Sequence, residues 1–198
     1  KYLPWHYFFV WFLMTTPPLI SLVIIIGIFY VGKKLFLNFI KIENNKKDLL
    51  WKNNKEMNEL FIFLTFLIPI FLILLLNSPW YGGWRHLYFI YPALVFIGIK
   101  AIDTLLNSFN KFVQRLIYTS LFIQLLLVLN FLIQSHPLQF VYFNSLVKNF
   151  VNKRFDIDYW GVGNQFTLKK LTFNANYQKP IKVTAASFTD LNKTKLIL

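Results

Sequence analysis

Cysteine is absent from this 198-residue chain, acidic residues number only 8, and the segments 7–30, 60–78 and 116–134 carry no charge at all. Each lack excludes something. Without cysteine there is no disulfide, no thiolate nucleophile and no thiolate ligand for zinc. The three histidines (His6, His86 and His136) do not replace it, since no two stand four residues apart on a helical face. There is no glycine-rich phosphate loop, no Ser/His/Asp set and no heptad pattern. The long uncharged runs exclude an ordinary soluble domain, whose apolar residues are dispersed at helix or strand period.

What is present is apolar surface in blocks. About 20 apolar residues make a helix that crosses a ~30 Å hydrocarbon core. The three uncharged runs qualify, and a fourth follows 87–99 through 101–106 with only Lys100 and Asp103 interrupting. The expected fold class is therefore an all-α integral membrane bundle of about four transmembrane helices, followed by a small extracytoplasmic α/β segment. The expected spans are 7–31, 60–78, 86–106 and 116–134, with a loop at 32–59 and a tail at 135–198. In the first span Pro17 and Pro18 are expected to bend the axis, with the Thr15 and Thr16 hydroxyls compensating lost backbone bonds. "KKLFLNFIK" reads as a separate interfacial helix. In the tail, 136–150 reads as an aromatic segment on the membrane surface, 162–176 as a short helix and "PIKVTAASF" as a strand.

The net charge of +13 is placed for lipid and not for nucleic acid. Lys33, Lys34, Lys41, Lys46, Lys47, Lys52 and Lys55 all fall in the 32–59 loop, and Lys100, Lys111 and Arg115 flank the third connection. Two spans separate these basic segments, so they share a side, and the positive-inside rule makes it the cytoplasm. "YLPWHY", "PWYGGWRH" and the tail are then on the outer side. The chain opens without methionine or a cleavable signal. Both ends read as cut, and a piece of a larger membrane protein is expected.

The chemistry-bearing residues collect on that outer side. In "PWYGGWRHLYFIYP", Arg85 and His86 stand where a span begins, behind Tyr81, Gly82, Gly83 and Trp84. One reading is an interfacial anchor, an aromatic belt with an arginine snorkelling to lipid phosphate. The other is an anion site, in which a guanidinium fork and an imidazole bind phosphate and the glycines let backbone approach it. "LPWHY" has the same composition, so His6 and Tyr7 are expected to share a pocket with Arg85, and His136 adds a third histidine. Asp156 and Asp158 would share one side of an extended strand, where two carboxylates can hold a metal or act as acid and base, but the expected role is structural pairing with Lys153 and Arg154.

Three blocks carry a family resemblance: "LPWHYFFVWFLMTTPPLISLVIIIGIF", "PWYGGWRHLYFIYPAL" and "HPLQFVYFNSLV…FDIDYWG". In this order they resemble the second half of bacterial membrane glycosyltransferases of the protein-O-mannosyltransferase-like kind, family 39 of the GT-C superfamily. The resemblance implies a GT-C-like fold and transfer of a sugar from a polyprenyl-phosphate donor to an acceptor lipid, glycan or protein at the outer face. It implies that Arg85 and His86 lie near the carrier phosphate and that Trp84 and Tyr81 line the lipid or sugar pocket. The family's catalytic acidic residue sits in the first outer loop of the whole protein, and nothing here matches it. No catalytic residue is therefore assigned, and this piece is expected to be inactive alone. The family's "GG…GA" stretch is also replaced by "SLVKNFVNKRF". The cofactor stays open: a divalent cation is compatible with such chemistry, but no ligand set for one is present. Rival classes are a transporter or flippase for a lipid-linked or anionic solute, and a structural membrane subunit.

Overall fold

A computed structural model of the chain describes residues 4–44, 51–76, 83–151 and 162–173. Among these residues every regular element is helical. The chain divides into two units, Lys1–Val128 and Leu129–Leu198. Four helices are long and apolar enough to cross a membrane: Pro18–Lys41, Asn54–Leu75, Arg85–Ser108 and Lys111–Gln134.

The first unit opens with α1 (Tyr7–Thr15), which is too short to cross anything at ~13 Å. Its end is dictated locally. Thr16 precedes Pro17, whose ring disfavours the helical conformation in its neighbour, and Thr16 is extended (φ −102°, ψ 140°). α2 (Pro18–Asn44) then restarts with a proline in the first turn, where no backbone N–H is needed. The segment expected as one bent span over 7–31 is thus two helices separated by an extended residue. The Thr15 hydroxyl donates to the Trp11 carbonyl at 2.7 Å, and Ser21 Oγ donates to the Pro18 carbonyl at 2.9 Å, so the polar side chains at the break are satisfied.

α2 does not stop at Val31. "KKLFLNFIK" continues it without a break, giving 27 residues and ~40 Å, longer than a ~30 Å hydrocarbon core. α3 (Asn54–Leu75) also starts earlier than the expected 60, because Asn53 caps it. The Asn53 side chain accepts the Glu56 N–H at 3.0 Å while Glu56 Oε2 accepts the Lys52 N–H at 2.8 Å, two orphan donors satisfied together. Most of the expected 32–59 loop is therefore helix.

The third span begins as a 3-10 helix (Arg85–Ile90) and becomes α4 (Tyr91–Ser108). Pro92 explains the change of winding. It has no N–H to give the Tyr88 carbonyl, which instead accepts the Tyr91 N–H one residue earlier. α2 and α4 run in the same direction and pack on each other most closely, with α3 antiparallel beside them. Small residues permit the approach: a Cβ on Gly27 would run into the Ile97 carbonyl, and one on Gly98 would come within 3.1 Å of Ile24. Phe8, Phe12, Ile24, Phe66, Ile70, Trp84, Leu87, Ile90, Leu94 and Ile97 form the core.

α5 (Lys111–Gln134) is different. Asn110 caps it, and Gln114 Nε2 turns back to the Leu106 and Phe109 carbonyls left open at the end of α4. No residue of α5 is buried.

In the second unit, Phe131 meets Tyr142 edge-on at 4.9 Å, and burial pushes the Tyr142 hydroxyl up from its ordinary pKa. Asn144 is buried, its Oδ1 accepting the Leu146 N–H. The expected surface segment holds a 3-10 turn (Gln139–Val141) and α6 (Lys148–Val151), and the expected short helix is α7 (Val162–Phe173). The expected strand at 180–188 and the residues Asp156 and Asp158 lie outside the described residues.

Candidate functional site

The two aromatic, histidine-bearing segments meet at one end of the first unit. Trp84 joins them. Its indole N–H donates to Thr15 Oγ1 at 2.8 Å, across 69 residues of sequence. Its ring sits edge-on to Phe8 at 5.8 Å and to Phe12 at 5.5 Å, with Tyr88 at 4.8 Å. Edge-to-face rings at such separations add stabilisation beyond their buried area. One residue earlier, the Gly83 N–H donates to the Tyr7 hydroxyl at 3.1 Å. Gly83 has φ +73°, a conformation that favours glycine, and a Cβ there would stand 3.3 Å from the Trp11 ring.

These contacts fix the backbone immediately before Arg85. Arg85 opens the 3-10 helix and is half-exposed, and His86 beside it is exposed. His6 occupies the N-cap position of α1, is exposed, and meets Trp5 edge-on at 5.5 Å. Tyr7 is half-buried, with its hydroxyl spent on Gly83. Trp84 is only 6% exposed, so it is a core side chain at this end and not one lying on an open surface. Tyr81 lies outside the described residues. His136 belongs to the second unit, where its Nδ1 lies 2.8 Å from Gln139 Nε2. Among the described residues no three His, Asp or Glu side chains converge as metal ligands.

The opposite end of the same helices holds a group of charges that sequence reading placed in a loop. Glu59, 8% exposed, accepts Lys34 of α2 at 2.8 Å and Lys100 of α4 at 3.0 Å. Lys34 also reaches Glu56 at 3.3 Å. Two cations and two anions cancel, and three helices are tied at one level. With ~2.0 Å per residue in the 3-10 turn and ~1.5 Å in α4, Lys100 stands ~25 Å from Arg85. The signal that could have found this group was Lys100 itself: a cation inside an apolar run requires a countercharge, and Glu59 stands at the edge of the neighbouring run.

Compared with protein-family models, with curated proteins and with solved structures, the chain matches none.

Proposed function

We propose that this chain is part of a polytopic membrane glycosyltransferase that moves a sugar from a polyprenyl-phosphate carrier to an acceptor at the outer face of a bacterial inner membrane. The observation that supports it most is the Trp84–Thr15 bond at 2.8 Å, which couples the two segments carrying the family resemblance and leaves Arg85 on a fixed backbone beside them. In this reading the Lys34–Glu59 end faces the cytoplasm and the Arg85 end the exterior, as the distribution of basic residues requires.

The chemistry follows. The acceptor hydroxyl attacks the anomeric carbon, the bond from that carbon to the phosphate oxygen breaks, and the carrier leaves as polyprenyl phosphate. The hydroxyl proton passes to a carboxylate base. Among the described residues Glu56, Glu59 and Asp103 all stand toward the other end, so the base comes from elsewhere in the protein. Negative charge grows on the departing phosphate, and a guanidinium already held in position helps that transition state more than the ground state. In this reading His86 donates a second bond to the same oxygens.

The test is sugar transfer from a polyprenyl-phosphate donor by the protein that contains this chain, carrying Arg85→Lys or Arg85→Ala. Loss of one fixed electrostatic donor costs roughly 10²–10³ in rate, and lysine, which keeps charge but loses the planar fork, should restore activity only partly. A snorkelling anchor would tolerate lysine fully. Lysine as good as arginine, with alanine costing less than about tenfold, would overturn the assignment. The helix break at Thr16-Pro17 supports a second reading, a transporter or flippase, since broken helices serve such proteins. Solute movement across the membrane with no transfer would favour it.

A further inference from the structure

Lys33 and Lys34 are neighbours in sequence with opposite surroundings. Lys34 turns into the bundle, where Glu59 and Glu56 meet its charge. Lys33 is exposed on the outer face of α2, and among the described residues no carboxylate pairs with it. Lys41, two turns further along, is exposed and unmatched in the same way. Both lysines stand on one stripe of the helix. Phe29, Lys33, Leu37 and Lys41 follow at four-residue steps, and Phe36 lies three residues after Lys33. Phe29, Phe36 and Leu37 are all exposed, so the stripe alternates apolar surface with cations, while Val31 on the other side is buried. Depth gives the stripe its meaning. The ionic group lies ~25 Å from Arg85; with Arg85 at one edge of a ~30 Å hydrocarbon core, Lys33 stands ~6 Å short of the other edge. Its own side chain covers about that distance, so the ammonium reaches the phosphate layer. Lys41, ~12 Å further along, already stands in that layer.

We propose that this end of α2 binds an anionic phospholipid, its phosphate held between Lys33 and Lys41 and an acyl chain laid along Phe36 and Phe29. The charges complement each other, and the apolar residues flanking each lysine require that the anion carry apolar chains. A helix packed on the stripe would have to bring a carboxylate to the depth of Lys33, inside hydrocarbon. A lipid supplies its phosphate at the layer the ammonium already reaches, and no second charge is desolvated. A zwitterionic lipid offers the same phosphate with a cation beside it, so the two lysines favour a lipid of net negative charge. This inference needs only a membrane-embedded chain and is independent of the sugar-transfer reading.

The absence of cysteine makes the test direct. The full chain with Phe29→Cys, carrying a fluorophore on that thiol, is reconstituted in phosphatidylcholine vesicles. Quenching by brominated phosphatidylglycerol, measured against brominated phosphatidylcholine, gives the lipid preference at the stripe. Phe61→Cys, exposed on α3, reports the same leaflet away from it. A basic residue at the surface is worth about fivefold in favour of an anionic lipid, so the two together should give a preference of more than about tenfold at position 29. Lys33→Gln or Lys41→Gln should each lower it about fivefold, and position 61 should show a much smaller preference. Equal preference at 29 and 61 would mean only the general charge of this end, and would overturn the proposal. A preference unmoved by both lysine substitutions would overturn it as well. So would quenching at 61 with none at 29 by either lipid, which is what another helix covering the stripe, from the same polypeptide or another protein, would produce.

Discussion

At the Arg85 end of the α2–α4 bundle the helices are joined by rings and neutral hydrogen bonds: Trp84 against Phe8 and Phe12, its N–H on Thr15, and the Gly83 N–H on Tyr7. At the other end they are joined by charge, with Glu59 between Lys34 and Lys100 and Glu56 on the rim. The first device ties α1 to the start of the third span and the second ties α2, α3 and α4 to one another, where apolar packing alone gains little from lipid. They differ in what they leave for a ligand. The ionic end spends Lys34 and Lys100 on its own carboxylates. The aromatic end gets its rigidity from uncharged groups and carries no described carboxylate. A site that must hold an anion is better built where rigidity does not depend on consuming the cations. The comparison can be broken at either end or in the middle.

The largest expected effect is at Glu59. Glu59→Leu leaves Lys34 and Lys100 facing each other with only Glu56 in reach. The expected loss is about 3 kcal/mol, the lower end of what breaking a buried pair costs, because water still screens the lysines in part. Their side chains remain 29% and 21% exposed. Unfolding of the protein in mixed micelles by increasing denaturing detergent measures it. Replacing Lys34, Glu59 and Lys100 together by Met should cost much less, since the buried carboxylate and both its lysines go together and the remaining Glu56 keeps the Lys52 N–H. If the triple variant is as unstable as Glu59→Leu, the group is not acting through charge pairing.

Why one end was readable in the sequence and the other was not follows from the same difference. The uncharged runs announce spans because hydrocarbon excludes charge, and Arg85 with His86 stands out because the short segments on that side otherwise carry only Lys1. The Pro17-Pro18 pair announced a disturbance but not its size. Thr16 is forced extended by its neighbour, and the sequence does not say whether helices on either side stay aligned. The α2 extension was read as a separate element because lysines flank it, although nothing in "GKKLF" stops a helix. Glu59 looked like a loop residue at the edge of a run, and its meaning appears only when Lys34, 25 residues away, and Lys100 reach it from two other helices. Trp84 looked like one more belt residue. Its burial depends on Thr15, a hydroxyl that reading along the chain had assigned to the proline break.

The middle of the bundle tests whether the two ends are independent. Gly27 crosses Ile97 between them, about one helical turn on the Arg85 side of Lys100, and a Cβ there has no space because the obstacle is backbone. Gly27→Ala should therefore part α2 from α4 and cost about 2 kcal/mol, the ordinary range for overpacking. Crosslinking between paired cysteines placed near each end, in the Gly27→Ala background, reads the separation. Loosening at both ends is expected. Loosening at one end only would mean that the helices pivot, and that the other device alone holds its register.

The smallest effect isolates the neutral lock. Thr15→Val keeps the shape of the side chain and removes the oxygen that accepts the Trp84 indole N–H. Because Trp84 stays buried against Phe8 and Phe12, its N–H loses its acceptor and finds no water to replace it. The expected loss is about 1–2 kcal/mol, the usual cost of one buried donor left unmet, and Thr15→Ser should restore most of it. The loss should add to that of Glu59→Leu, since sites ~25 Å apart without a shared partner do not couple. Marked non-additivity would show that the ends communicate through the helices, and the rigid backbone before Arg85 would then owe part of its position to the ion pairs at the far side. Strict additivity, with no change in the proposed sugar transfer for Glu59→Leu and a several-fold fall for Thr15→Val, would place the positioning of Arg85 in the Trp84–Thr15 contact alone.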